Sequence, residues 1–292
     1  LKHLMTVPIN RRLLAVVAHP DDETFGCGGT LAKYSEEDVR VSLVCATRGE
    51  AGEISHPDLA TRDDLGAVRE EELRAASKIL GIQDLIILDY RDSGMAGSSD
   101  NNHPKALCQA DKTILTGIIV EAIRRLRPQV LVTFDANGGY GHPDHIAIHL
   151  ATVEAFHAAG DPSKFPDQIS SDVLVHQPSK LYYFVMPLSM VQAINEAMAA
   201  DGQEISPDFE KMGMPDEHIT TTIDTTLVAK QKENAALCHV TQISVGNTTD
   251  PFEWLPEDTK IRYLSNEFLV RAIPQSVPKT PGLENDLFAD LS

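Results

Sequence analysis

Short apolar runs recur through the first half of the chain, and each is followed by a stretch with helical spacing. Leu13–Ala18 is continuously apolar, as a strand covered on both faces must be. Gly28–Glu37 then reads as a helix and Val39–Ala46 as a second strand. Asp64–Leu80 puts Leu65, Val68, Leu73, Ala76 and Leu80 on one side, and Gly81 supplies its stop. Leu85–Leu88 and Val130–Phe134 read as the third and fourth strands. Asp111–Leu126 is a helix closed by Pro128, and Asp144–Ala159 is the next helix. This alternation predicts an α/β fold: a Rossmann-like, doubly wound, mostly parallel sheet with helices on both faces.

Beyond Gly160 the pattern weakens. Leu181–Val185 is an expected strand, with helices expected at Leu188–Ala200 and Thr225–Cys238. From Pro251 onward the chain is Pro-rich and reads as irregular, apart from the apolar run Phe268–Ile273. No repeat or low-complexity linker divides it. The expectation is one domain over residues 5–275, with a catalytic core over 12–160, a C-terminal elaboration over 161–275 and an irregular tail over 276–292. The chain opens on Leu1, so Leu1–Leu4 read either as a vector remnant or as a processed end, with Met5 a candidate native start. The Asp89–Gln109 loop is long for a compact domain, a feature typical of functional segments.

Composition narrows the picture. A chain of 292 residues with 42% hydrophobic content supports a packed core. The net charge of −18 provides no basic footprint for nucleic acid or for an anionic membrane surface. Leu13–Ala18 is too short to span a bilayer and lacks the flanks of a signal segment. Cys27, Cys45, Cys108 and Cys238 form no Cys-x-x-Cys pair, which fits reduced thiols in a cytoplasmic protein.

The chemistry concentrates in two loops, Ala18-His19-Pro20-Asp21-Asp22-Glu23 and Tyr140-Gly141-His142-Pro143-Asp144-His145. Each lies between a strand and a helix, and strand ends of a parallel sheet face one crevice. His19 and Asp22 are three apart, and His145 can supply a third ligand from the other loop. Two imidazoles and one carboxylate make a metal site with open positions, suited to zinc and equally to ferrous iron. Asp21, beside the ligands, is the natural general base. His142 could stabilise an oxyanion or protonate a leaving amine, with Asp144 orienting its ring, and Tyr140 could add a hydrogen bond. Glu23 suits a supporting or capping role. Any of these aspartates could instead cap a helix. Two such loops, each with a ligand-capable residue three after a His, favour the metal.

His-Pro-Asp-Asp followed by His-x-x-His resembles the hallmarks of the LmbE-like, PIG-L-type N-acetylglucosaminyl deacetylases. Asn137-Gly-Gly-Tyr-Gly-His-Pro-Asp-His145 and Arg91-Asp-Ser-Gly-Met-Ala-Gly97 are most similar to its mycothiol branch of inositol-linked N-acetylglucosamine deacetylases and mycothiol conjugate amidases. The continuation Thr24-Phe25-Gly26-Cys27-Gly28 looks more like the wider family. The resemblance implies His19, Asp22 and His145 as ligands, Asp21 as base, His142 as electrostatic stabiliser or acid, and Tyr140 as helper. It further implies Arg69, Asp92 and, more weakly, Glu53 as substrate contacts. Arg69 could alternatively pair with Glu72 on its own helix. The expectation is a hydrolase with one divalent metal that removes acetate from a small N-acetylglucosamine-type substrate, compatible with a homo-oligomer. Its rivals are an amidase for a bulkier acyl group on a glucosamine-thiol conjugate, a non-catalytic sugar binder, and a nucleotide-binding Rossmann protein. The last is disfavoured because Gly26–Gly29 does not form Gly-x-Gly-x-x-Gly.

Overall fold

The computed structural model describes residues 10–200, 211–243, 252, 255–275 and 284–291. Its first half alternates strands β1 (Arg12–Val17), β2 (Arg40–Cys45), β3 (Asp84–Ile87) and β4 (Val130–Thr133) with helices α1 (Asp22–Glu36), α2 (Leu65–Ile79), α3 (Lys112–Leu126) and α4 (Pro143–Ala158). The second half adds β5 (Lys180–Pro187), α5 (Leu188–Ala200), β6 (Gly213–Met214), β7 (Thr221–Asp224), α6 (Ala229–Ala236), α7 (Glu257–Ser265) and β8 (Asn266–Ile273). The sheet runs β3-β2-β1-β4-β5-β8-β7, and β6 pairs with the end of β5.

Strands β3, β2, β1, β4 and β5 are mutually parallel. From β1 the chain winds outward to β2 and β3, then returns to place β4 on the other side of β1. That reversal is a topological switch point, where a crevice opens between the loops leaving the two neighbouring strands. The two His loops are the ones that leave β1 and β4. Leu13, Leu14, Val16 and Val17 are fully buried at this centre. Burial of each is worth roughly 1.5–3 kcal/mol relative to exposure.

Several expectations need correction. The segment after Pro251 holds a helix and a strand, so it is not irregular where it is described. α7 buries Thr259, Tyr263 and Leu264 alone, too few apolar positions to announce a period. β8 pairs antiparallel with β5 and with β7, a strand not expected from the sequence. α1 starts at Asp22, not Gly28, and kinks at Cys27 (φ −152°, ψ 24°). The helix expected at Thr225–Cys238 is a 3-10 turn at Thr226–Val228 followed by the shorter α6. In the C-terminal stretch Glu284 bridges to Thr221, and Leu287 and Phe288 are buried. Met5 and residues 276–283 lie outside the described residues. All four cysteines are free thiols. Among the described residues, no helix is long and apolar enough to cross a membrane.

Candidate active site

The loop after β1 folds back on itself. Asp22 Oδ2 accepts the backbone N–H groups of Ala18 (3.2 Å) and His19 (2.7 Å), which pins its carboxylate over the strand end. Asp21 takes φ 102°, a backbone region that costs a non-glycine residue on the order of 1–3 kcal/mol. The strain is held in place from several sides. The Asp21 N–H donates to Glu23 Oε2 (3.0 Å), and its carbonyl accepts the Thr24 and Phe25 N–H groups. Glu23 is fully buried, and its Oε1 meets Thr24 Oγ1 (2.5 Å) and His239 Nε2 (2.8 Å).

The loop after β4 makes a tight turn at Gly138–Gly141. Gly138 has φ +62°, and a Cβ there would lie 2.8 Å from that of His145. The close approach lets the Gly138 carbonyl meet His145 Nδ1 at 3.1 Å. Phe134 stacks on the same imidazole, with centroids 3.9 Å apart. Pro143 opens α4, and His142 caps it by accepting the Asp144 N–H on Nδ1 (3.2 Å).

The two loops converge. His145 donates Nδ1–H to Gly138, which leaves a lone pair on Nε2. His19 Nε2 donates to Asp144 Oδ2 (3.1 Å) and lies 3.4 Å from Asp92 Oδ1, so the neutral ring keeps its lone pair on Nδ1. These two free nitrogens face each other at 3.1 Å. Asp22 completes the set, with Oδ2 3.5 Å from His19 Nδ1 and Oδ1 3.4 Å from His145 Nε2. With both rings neutral, two imidazole lone pairs and a carboxylate face one point, where a cation can gather them. Their spacing is close to the edge of about 3.4 Å expected for a tetrahedron with bonds of about 2.0–2.1 Å. The donor set therefore fits a divalent metal. A ring nitrogen of His142 lies within 4.8 Å of both. His19, Asp92, His142 and Asp144 form a second cluster on the far side of the His19 ring. Its carboxylates are already bonded: Asp144 accepts the Ser93 N–H (2.9 Å) and hydroxyl, and Asp92 accepts the N–H groups of Gly94 (2.8 Å) and Ala51 (3.2 Å).

Electrostatics separate the groups. Burial pushes the Asp21 carboxyl up to about 6, against the pull of Arg69 and with the push of Asp22. Burial also works upward on Asp22, but His145 and His19 outweigh it and hold Asp22 well below the carboxylate range. Burial, reinforced by His19 and His145, lowers His142 to about 4, so its ring is neutral at pH 7. For His19 burial works downward, and Asp92, Asp144 and Asp22 overcome it. Burial raises the Tyr140 phenol above its ordinary value.

The structure thus brings together His19, Asp21, Asp22, Asp92, His142, Asp144 and His145, with the Tyr140 ring 5.2 Å from that of His145. The expected role of Asp144 needs correction. Its carboxylate orients His19, because Ser93 holds it on that side; only its backbone N–H reaches His142. Arg69 does not pair with Glu72, whose carboxylate accepts the Thr241 N–H (2.9 Å) and hydroxyl (2.7 Å). Arg69 is instead 3% exposed and bonds the carbonyls of Gly49 (2.8 Å) and Pro20 (2.6 Å) and the Asp21 carboxylate (3.1 Å). Glu53 is absent from both clusters and from the adjoining cavity wall. Ser93, Phe134 and His239 were not expected. Ser93 sat inside the Arg91–Gly97 motif, whereas nothing in the sequence signals His239.

A cavity of about 280 Å³ opens beside the cluster and shares Asp21, Asp22, Tyr140 and His145 with it. Fold and cluster together define a Rossmann-like α/β protein with a His/Asp centre at the switch point of its sheet. The chain belongs to the PIG-L family, described as GlcNAc-PI de-N-acetylases, whose model matches residues 14–156. It is 39% identical over 298 residues to a 1D-myo-inositol 2-acetamido-2-deoxy-alpha-D-glucopyranoside deacetylase of Geodermatophilus obscurus, covering 97% of this chain and 98% of that one. It is 40% identical over 294 residues to a protein of the same name from Acidothermus cellulolyticus, covering 96% and 94%. Among solved structures it is similar to the N,N'-diacetylchitobiose deacetylase of Pyrococcus horikoshii, at TM-score 0.61 and 18% identity over 89% of this chain and 83% of that one. It is also similar to GalB, the 4-carboxy-2-hydroxymuconate hydratase of Pseudomonas putida, at TM-score 0.60 and 20% identity over 91% and 98%. A deacetylase and a hydratase on one fold mean that the fold alone does not define the reaction.

Proposed function

We propose that this chain is a metal-dependent N-deacetylase that removes acetate from N-acetylglucosamine linked to inositol. The observation that carries the reading is the meeting of His19 Nδ1, His145 Nε2 and the Asp22 carboxylate beside Asp21, a carboxylate the ligand set leaves free. The names borne by relatives 39–40% identical over nearly the whole chain support the substrate.

His19, Asp22 and His145 would hold one divalent ion. Zinc suits two imidazoles and a carboxylate, and ferrous iron shares that donor set. Such an ion, when bound, polarises a carbonyl and acidifies water. Asp21 accepts the proton of the attacking water and returns it to the departing nitrogen, and its raised pKa suits both transfers. His142, neutral and with Nδ1 occupied, keeps its proton on Nε2 and offers it to the developing oxyanion. Tyr140 offers a second donor. Asp144 and Asp92 fix the tautomer of His19. Arg69 ties Asp21 to the carbonyls of Pro20 and Gly49, a positioning role.

The test is acetate release from the inositol-linked sugar, plain N-acetylglucosamine and N,N'-diacetylchitobiose, after loading with zinc or, anaerobically, ferrous iron. The inositol-linked sugar should be the best substrate, and a chelator should abolish turnover until metal is restored. No acetate from any of them with either metal would overturn the reading.

A further inference from the structure

The cavity beside the cluster has two unlike walls. Asp21, Asp22, Tyr140 and His145 form the reacting wall. The other wall comes largely from residues beyond the family-matched 14–156, among them Phe184, Met186, Met190, Met212 and Phe268. The lining also holds Asp135, whose Oδ1 accepts the Gly139 N–H at 2.8 Å, and two charged residues from beyond residue 156, which do not behave as open charges. Lys232 and Glu267 are 1% and 4% exposed at their side chains and bond each other at 2.8 Å. Glu267 also accepts the N–H groups of Gly29 and Thr30, both at 2.7 Å. Such a wall solvates pyranose hydroxyls poorly and accepts methylenes well.

The opposite side of the cluster is polar. A cleft lined by Glu50, Arg62, Asp63, Arg91 and Asp100 adjoins it through Asp92, whose N–H donates to Glu50 and whose carboxylate accepts from Ala51. An amide held at the cluster has two substituents that point apart. The polar cleft suits the sugar, so the apolar cavity falls to the acyl carbon chain. An acetyl methyl is comparable to one water, about 30 Å³, and fills a small part of 280 Å³.

We infer that this cavity is an acyl pocket and that the chain hydrolyses N-acyl glucosamines with unbranched apolar acyl groups longer than acetyl. The inference rests on the deacetylase reading of the same cluster and extends its substrate class. The reaction balances as amide hydrolysis: the C–N bond breaks, water supplies OH to the acyl carbon and H to the nitrogen, and a fatty acid and a free amine leave.

The experiment compares kcat/KM for N-acetyl, N-butyryl and N-hexanoyl forms of the inositol-linked glucosamine, in the metal-loaded wild type and in Met190→Trp and Met186→Trp. In the wild type each added methylene should raise kcat/KM by up to about fourfold, the equivalent of about 0.8 kcal/mol per buried CH₂. Either Trp variant should lower the hexanoyl-to-acetyl ratio by at least about tenfold. Free hexanoate should inhibit the wild type more tightly than acetate, a binding readout that needs no variant to fold. A steep fall from acetyl to butyryl in the wild type overturns the acyl pocket and leaves the deacetylase reading standing. An unchanged ratio in folded Trp variants, or equal inhibition by the two acids, also overturns it. Release of hexanoate without release of acetate would support the pocket and overturn acetate as the leaving acyl group. Release of neither acid overturns both.

Discussion

The two halves of the chain do different work around one crevice. The half up to residue 160 is an all-parallel β/α array, and its loops supply His19, Asp21, Asp22, Asp92, His142, Asp144 and His145. The half beyond residue 160 adds the parallel β5, turns antiparallel at β8 and β7, supplies none of these, and instead braces and walls. His239 grips Glu23, Thr241 grips Glu72, and Ser55 and Thr241 tie the two halves together by backbone (2.9 Å). Reacting groups can be read locally because switch-point loops gather them. Bracing groups are spread over distant sequence because any element that packs nearby can provide one.

Four measurements would break or sharpen this division. The largest effect should come from His145→Ala, which removes one of the converging acceptors. Metal content should fall far below one ion per chain, and turnover by more than about 10⁴-fold, the scale of dismantling a reacting unit. Full metal occupancy in that variant would show that the ligand set lies elsewhere. Asp21→Asn should come next. It should keep metal and fold while kcat drops by about 10²–10⁴-fold, the range for removing a general base. Turnover near wild type would take Asp21 out of the reaction.

His239→Ala probes the division directly, because it alters the second half and reaches Asp21 through Glu23 and through the His239 charge. Removing one partner of a buried ion pair costs about 3–5 kcal/mol, so Tm should fall. Misplacement of Asp21 should also lower kcat by about 10–100-fold at little-changed KM, with metal retained. His239→Gln, which keeps a donor for Glu23, should recover most of the kcat. A drop in Tm with kcat intact would make the second half a passive brace.

The smallest effect lies at the sheet edge, in Asp84→Asn. The hydrogen bond from Arg40 holds the Asp84 carboxyl below the ordinary carboxylate range, with burial opposing and Ser42 assisting. Because the folded value is the lower one, the pair stabilises fully above the unfolded carboxylate value and loses that effect as pH falls through the folded one. Arg40 is half exposed, so the loss at neutral pH should be about 0.2–1 kcal/mol and shrink with salt. A larger loss, read by denaturant melts across pH and salt, would mean the edge strand is more than scaffold.

The sequence made the first half legible because its signals are local. The apolar runs of β1, β2 and β4 are dense, and His19 with Asp22 and His142 with His145 sit within one turn of each other. Distance hid the rest. Glu23 and His239 are 216 positions apart, and His239 lies in no motif. Asp144 seemed made for its neighbour His142, but Ser93, from another loop, turns its carboxylate toward His19. α7 offers only Thr259, Tyr263 and Leu264 as a buried face, and a Pro-rich setting masked it.

The break in α1 at Cys27 has an electrostatic consequence. An unbroken helix from Asp22 to Glu36 would aim the positive end of its macrodipole, roughly half a charge, at a centre built to attract a cation. The break divides that helix in two. Only the first turn, Asp22–Gly26, points its N-terminus at the centre. The longer segment opens its own N-terminus at Gly29 and Thr30, where Glu267 receives both N–H groups and Lys232 balances the carboxylate. The second half of the chain thereby occupies the N-terminus of the longer segment behind Asp22 with a charge-balanced carboxylate.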